Sequence, residues 1–515
     1  MTDTVAAFDL GTGGVKAAIF RPDGVCIAEE VVSYETFYPA ASRHEQRPQD
    51  WWDAICESLA LLLRNPAVDA AAIRAISLSG HSLGCIPLDG EGRLLQAQVP
   101  IWSDGRAIAE AADFFTRIDP QAWYNTTGNG FPAPLYTVFK AMWLRDNAPE
   151  IFARTRTIIG TKDYINLRLT GRIATDPSYA SGTGVYDLAA GRYAPKLVEA
   201  AGLASGLFPP IVASTDVLGE VVPEVADRLG LPPGVRVIAG GVDNSCMALG
   251  GRTFQEGDAY ASMGSSSWIT VATGQPLLDE RVRPFVFAHV VPEMFISATS
   301  IFSSGTSLNW VADTLLSDLR QTARAGGGDF HDALFRLAAE APAGARGLIF
   351  VPTLGGGTSF EGGPAVRGGF VGLDLQHGRA DILRATLEGI ALGLRVALDE
   401  LRRMTAIDDE MIVVGGGARS PFWRQVFADV FDCTLLKTTI DQQAAALGAA
   451  ALAFVGMGIW RDFQPIRQLH AIEDRSDPAT DTKPVYGAAL TAYRAAADQQ
   501  RELAGVLAAL REVSR

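Results

Sequence analysis

The alternation of apolar and polar positions divides the start of the chain into short extended runs. Residues 5–10 (VAAFDL) and 15–20 (VKAAIF) are apolar runs of strand length on either side of Gly11-Thr-Gly-Gly14. A third run, VCIAEEVVSYE (25–35), follows a turn at Pro22-Asp-Gly24, so three consecutive strands are predicted. From Pro48 through WWDAICESLALLLRN the pattern is that of a helix with proline near its first turn. The β-rich run AIRAISLSG (72–80) then ends in GHSLG. Strands followed by alternating helices and strands predict an α/β domain with a mixed sheet. Residues 109–200 carry several helical stretches and read as an insertion or cap.

The pattern begins again near residue 237. VIAGGVDNS ends a strand in glycines and an aspartate, and DAYASMGSSSWITVAT (258–273) reads strand, Gly/Ser turn, strand. Gly264 stands 253 positions after Gly11, and Ser265 stands in the same relation to Thr12. Two copies of one hairpin in two halves would form two jaws around one ligand. With 515 residues the chain exceeds the ~250–300 that one core supports. The division expected is 1–253, which carries the helical insertion, and 254–515. The uncharged stretch Ala444–Trp460 is at the short limit for a membrane span. Its alanines and glycines favour a helix packed inside a domain.

Composition narrows the partners. Apolar residues make up 48% and charged residues 20%, a globular balance. A net charge of −14 argues against nucleic acid. The five cysteines are scattered without a C-x-x-C, and the first residues lack the layout of a signal peptide. A soluble cytoplasmic protein with reduced thiols and no membrane partner is expected.

Four stretches carry chemistry. In the first hairpin, Gly11, Gly13 and Gly14 allow backbone N–H groups to surround an anion, Thr12 adds a hydroxyl and Lys16 a charge. Asp9 would repel phosphate unless a cation lay between them, which points to Mg²⁺; a glycine-rich hairpin with a chance acid is the plain alternative. Gly264 and Ser265 repeat the donors without the acid. In VVGGGARSPFWRQVFADVF (413–431), Gly415, Gly416 and Ala418 precede an N-cap at Ser420 and Pro421 at the first helical position. Bare backbone there suits a flat purine ring, or simply a tight turn. Asp243, with Asn244 beside it, ends a glycine-flanked strand, where a carboxylate can accept a proton from a hydroxyl or merely cap the next helix. No G-x-x-x-x-G-K-[ST] is present, which excludes a P-loop enzyme.

Together these stretches resemble the FGGY family of carbohydrate kinases, within the actin/hexokinase/Hsp70-type ATPase superfamily. The likeness runs through HEQRPQDWW (44–52), SGHSLGCIPLD (79–89), IWSDGR (101–106) and the C-terminal signature GGFVGLDLQHGRADILRATLE (368–388). The central signature is approximate in LYTVFKAMWLRDN (135–147), where Lys140 and Trp143 match. KDYINLRLTG (162–171) and DPSYASGT (176–183) point to the xylulokinase-like branch. The resemblance implies two ribonuclease H-like (actin-like ATPase) domains with mixed five-stranded sheets, flanked by helices, across an interdomain cleft. It implies transfer of the γ-phosphate of Mg-ATP to a ketose hydroxyl, a pentulose such as D-xylulose. Ribulose, erythrulose or erythritol are alternatives, and a protein clamp of the Hsp70/actin type is the rival class.

By the same resemblance Asp243 is the general base and Asp9 supports Mg²⁺. Thr12, Lys16, Gly264 and Ser265 line the ATP phosphates. Gly415, Gly416, Ala418 and the loop at Gly305 surround the adenosine. His81, Ser82, Trp102, Asp104 and Asn244 meet the sugar. A homodimer is a family-level expectation only. Where xylulokinases carry Gly-Gln-Met-His-Gly, this chain has Gly80-His81-Ser82-Leu83-Gly84, and their Gly-Glu-Arg-x-Pro region is rewritten as GGGTSFEGGP (355–364). A lost polar contact at Leu83 favours a different or less hydroxylated substrate.

Overall fold

The first apolar run becomes a strand with every side chain buried, β1 (Thr4–Leu10), because both of its faces are covered. β1 turns at Gly11–Gly13 into the antiparallel β2 (Gly14–Phe20), which pairs with β3 (Cys26–Ser33). The computed structural model describes residues 3–301, 303–320, 329–358, 360–440 and 443–514. β4 (Ile73–Gly80) runs parallel to β1, with β6 (Arg236–Ile238) parallel on its far side and β5 (Val217–Glu220) antiparallel at the edge. After a break at residues 239–240, β7 (Gly241–Val242) returns to β4 opposite Ser79 and Gly80.

The second half repeats the plan. β8 (Ala259–Met263) and β9 (Ser267–Thr273) form the second hairpin, flanked by β11 (Phe295–Ile301) and, in parallel, β12 (Glu410–Val414) and β13 (Thr434–Thr438). β10 (Phe285–Ala288) and β14 (Ile472–Ser476) are its antiparallel edges. Five strands are thus common to both halves, in the orders β3-β2-β1-β4-β6 and β11-β9-β8-β12-β13. Each sheet nevertheless has seven strands rather than the expected five. β5, β10 and β14 are short antiparallel additions to what would otherwise be bare sheet edges, and β7 prolongs the β6 pairing.

Helices cover the faces. α1 (Pro48–Arg64) packs on β2 and β3, and its Trp51, Trp52 and Ile55 share one core with Ala6, Phe8 and Leu10 of β1. α4 (Arg379–Met404) packs on β9 and β11 and α5 (Pro421–Phe431) on β13, in one core with Ala259, Ala261 and Met263 of β8. Two further helices fill the space between the sheets: α2 (Asp243–Gly250), which follows β7, and α6 (Ala444–Gly456). Although α6 belongs to the second half of the chain, its Leu447, Ala450 and Phe454 pack with Val5 and Ala7 of the first sheet.

Small residues let α2 and α6 cross at backbone distance. A Cβ at Gly448 would stand 1.9 Å from the Cys246 carbonyl oxygen, and one at Gly250 1.8 Å from that of Ala444. The alanine- and glycine-rich stretch is therefore a buried crossing. Among the described residues no helix is long and apolar enough to span a membrane. The expected insertion is present as helices that include Ile108–Phe114, Pro120–Thr127, Thr137–Asn147 and Thr161–Thr170, with short strands among them.

Candidate active site

Alternation along β1 puts Asp9 on the same face as Val5 and Ala7, next to the space filled by α2. The Ser79 hydroxyl donates to its carboxylate at 2.8 Å. Lys16 lies directly opposite Asp9 across the hairpin, so the two side chains share a face. Burial pushes the Asp9 carboxyl above its usual range, with the Ser79 hydrogen bond and the Lys16 charge opposing.

Asp243 opens α2 and is half-buried. Burial first, and the Asp9 charge second, push its carboxyl up to about 7, although the Asn244 N–H donates to it at 2.7 Å. Tyr34, Cys246 and Tyr260 are the other titratable groups that feel the Asp243 charge. The Tyr34 hydroxyl donates to the Gly11 carbonyl and ties β3 to the first turn.

Asp243 and Asn244 line a cavity of about 310 Å³ between the halves. Thr12, Ser82, Leu83 and Trp102 come to it from the first half, and Ser266, Trp268 and Phe285 from the second. The Trp102 indole N–H donates to the Thr12 hydroxyl at 2.8 Å, linking the Gly11–Gly13 turn to the cavity wall. Among the described lining residues Asp243 is the only charged side chain.

A second cavity of about 520 Å³ lies across the 264–266 turn, which therefore forms the partition: Ser265 faces the second space and Ser266 the first. Gly264, Gly305 and Gly416 line this second cavity. The turn is fastened to helix α3 (Gly305–Leu315), since the Gly305 N–H donates to the Gly264 carbonyl at 3.0 Å and the Ser267 hydroxyl to that of Ser304 at 2.6 Å. Gly415 has φ +96, and a Cβ there would meet the Met263 carbonyl oxygen at 2.9 Å, so glycine is what brings the triplet against the turn. Ser420 caps α5 through the Trp423 N–H at 3.2 Å, with Pro421 at its first position, as predicted.

Eight sequence-predicted residues line neither cavity: Asp9, Gly11, Gly13 and Lys16 of the first hairpin, Gly415 and Ala418 beside the second cavity, and His81 and Asp104. His81 is buried against the edge of Trp51, shares a 3.2 Å hydrogen bond with Thr161, and does not line the sugar-sized cavity; burial pulls its imidazole down to about 4. Asp104 is fully buried, and its carboxylate is taken up by Arg106 at 2.7 Å and by the His44 N–H at 2.7 Å. Ala418 is buried beside the second cavity and accepts a hydrogen bond from Arg424 through its carbonyl.

Other lining residues carry no sequence motif: Phe131, Trp268, Phe285 and Phe287 in the first cavity, Asn309 and Asp332 in the second. Lys140 was legible only as a signature match. Its buried ammonium donates to the carbonyls of Leu83 at 2.9 Å and Ile101 at 2.6 Å, holding two cavity walls together. Leu83 sits at φ +59, a left-handed conformation strained for leucine.

Comparison with known proteins agrees with this geometry. The model of the FGGY family of carbohydrate kinases, N-terminal domain, matches residues 4–250, and that of the C-terminal domain matches residues 259–457. The chain is 30% identical over 446 residues to the xylulose kinase of Escherichia coli (strain K12), covering 86% of this chain and 88% of that one. It is 26% identical over 487 residues to the gluconokinase of Bacillus subtilis (strain 168), covering 94% of both. The crystal structure of xylulose kinase from Rhodospirillum rubrum superposes with a TM-score of 0.90 at 29% identity, over 98% of this chain and 100% of that one. Two halves of one topology, a cleft with an acid in its wall and a glycine-rich neighbouring cavity thus have one common explanation: the chain belongs to the FGGY family of carbohydrate kinases and is an ATP-dependent sugar kinase.

Proposed function

We propose that the chain phosphorylates a neutral ketose of pentulose size, with D-xylulose as the reference substrate and Asp243 as general base. Residues 1–253 and 254–515 serve as the two lobes. The observation that carries this reading is the cavity between the hairpins, where Asp243 is the only charged side chain among the described lining residues. The relatives include both xylulose kinases and a gluconokinase, and charge separates these two choices. A gluconate carboxylate would enter a space whose described lining residues offer it no Lys, Arg or His and include Asp243 already. A neutral sugar can set its C–H faces on Trp268, Phe285 and Phe287 and its hydroxyls on Asn244, Ser82 and Thr270.

Asp243 takes the proton from the attacking hydroxyl as that oxygen approaches the γ-phosphorus of ATP. The amides of Gly13 and Ser265, the Thr12 hydroxyl and Lys16 hold the phosphates in line, while the Gly11 and Gly264 N–H groups close their own turns on the Gly14 and Ser266 carbonyls. Adenosine occupies the second cavity, against Gly305, Gly416 and Gly417. A divalent cation fits beside this arrangement, because the buried Asp9 and the half-buried Asp243 lie close enough for the Asp9 charge to raise Asp243. Among the described residues no cluster of three or more ligating side chains stands ready to cage a metal, which suits Mg²⁺ held by one or two carboxylates, water and phosphate. Asp9 would hold it, and it would offset charge on the phosphates. Closure of the lobes on the sugar excludes water. Five unpaired cysteines support a reducing, cytoplasmic setting.

ADP release measured with D-xylulose, D-ribulose, erythrulose, erythritol, gluconate and no sugar tests the proposal. Release is expected with D-xylulose, and with neither gluconate nor buffer alone. Equal release without sugar would favour the clamp, and preference for gluconate would overturn the charge argument.

A further inference from the structure

The two motifs that pointed to a branch of the family, KDYINLRLTG and DPSYASGT, line neither cavity. Their polar side chains meet behind the strand that delivers Asp243. Lys162, Asp163, Asn166, Asp176 and Ser178 are all at most 2% exposed, an expensive place for so many polar groups unless each is paired. Lys162 pairs with Asp163 at 2.6 Å and Asp176 at 3.0 Å, and donates to the Ala239 carbonyl at 3.2 Å. The Asn166 side-chain amide donates to the same carbonyl at 2.9 Å.

Asp176 in turn accepts from the Ser178 hydroxyl at 2.5 Å and the Ser214 hydroxyl at 2.9 Å. The Ser178 oxygen, its proton committed to Asp176, accepts from the Val242 N–H at 2.9 Å. Residues 239 and 242 bracket the break between β6 and β7, where the ladder to β4 is interrupted. Side chains thus hold the backbone where sheet hydrogen bonds do not, one residue before Asp243.

We propose that Ser178, Asp176, Lys162 and Asn166 are positioning residues that fix the height and direction of Asp243 over the sugar cavity. The inference rests on Asp243 being the base. Because the network grips main chain on both sides of the β6–β7 break, loosening it shifts the carboxylate without removing it. A misplacement of ~1 Å at a reacting group costs about 10²-fold in rate.

Ser178→Ala removes the acceptor of the Val242 N–H, and Asn166→Leu, close in size, removes one donor to Ala239. Both are assayed beside Asp243→Asn, with thermal melts to establish the folded fraction. Ser178→Ala is expected to lower kcat about 10²-fold with the KM for ATP unchanged, and Asn166→Leu to lower it by less. The acid limb of kcat/KM should also move to lower pH, because a displaced Asp243 is better hydrated and farther from Asp9. The groups facing it from the surrounding elements are Asp9 on β1, Tyr34 after β3, Cys246 on α2 and Tyr260 on β8, with Lys16 acting through Asp9. A merely structural role would lower the melting temperature and the folded fraction but leave the limb in place.

Normal kcat and an unmoved limb in folded Ser178→Ala, with Asp243→Asn inactive, would overturn this inference and spare the base. Turnover retained in Asp243→Asn would overturn the base itself. If Ser178→Ala fails to fold, Asn166→Leu decides by the same two readouts.

Discussion

Asp243→Asn is expected to lower kcat for sugar phosphorylation by about 10²–10⁴-fold while ATP still binds. The substitution keeps the size of the side chain and its place at the start of α2, so the hydrogen bond from the Asn244 N–H can persist. What is lost is the ability to take a proton. The carboxyl is poised for that task, since burial and the neighbouring Asp9 charge bring it to about 7. The sign of the pH dependence follows. A base with a raised value is protonated, and idle, at pH below about 7, so kcat/KM of the unaltered enzyme should fall as pH drops through that region. In Asp243→Asn that limb should be absent from the residual activity. Near-normal turnover in the variant would remove Asp243 from the mechanism.

The largest effect on stability is expected at the crossing of α2 and α6. Helix propensity alone favours alanine over glycine inside a helix by about 1 kcal/mol. Gly448→Ala should therefore stabilise the protein if the position were slack. Yet its Cβ would stand 1.9 Å from a backbone oxygen, that of Cys246, which no rotamer change can move. Overpacking of this kind costs about 1–3 kcal/mol and occasionally more, so after the propensity gain of about 1 kcal/mol a net loss of up to about 2 kcal/mol is expected. Denaturant unfolding reads it directly, and an unchanged or higher midpoint would contradict the backbone contact. Any relief by separating the helices would tilt α2 and carry Asp243 with it, so kcat of the folded fraction should fall as well.

These two positions show which parts of the molecule were legible in the sequence. Both hairpins were, because each is a local device: apolar runs around glycine, repeated 253 positions apart. Asp243 was readable because glycines before an aspartate mark a strand end. The Ser420–Pro421 helix start was readable because capping is a contact between near neighbours. The partner of α6 was not, since a helix of alanine and glycine is apolar all round and nothing in it selects the first sheet over the second. Strand β14 was hidden by charge: IEDRS alternates no apolar residues, as suits an exposed edge.

The misplacement of Asp104 had a signal that could have found it. Arg106 stands two residues on, and an Asp-x-Arg pair can satisfy itself without a ligand. For His81 the difficulty was geometric. It follows directly on β4, and the chain reverses at left-handed Leu83, so strand alternation no longer says which side chain faces the cavity. The aromatic walls Phe131, Phe285 and Phe287 come from segments far apart in the chain and meet only through the packing of the two halves.

The most direct test of the account is a crystal structure with D-xylulose and a non-hydrolysable ATP analogue bound together. The phosphate chain should cross the 264–266 turn, with its terminal phosphorus between the Gly11–Gly13 turn and a sugar hydroxyl in hydrogen-bond reach of Asp243. A nucleotide seated away from that turn, or a sugar whose hydroxyls are all out of reach of Asp243, would contradict it.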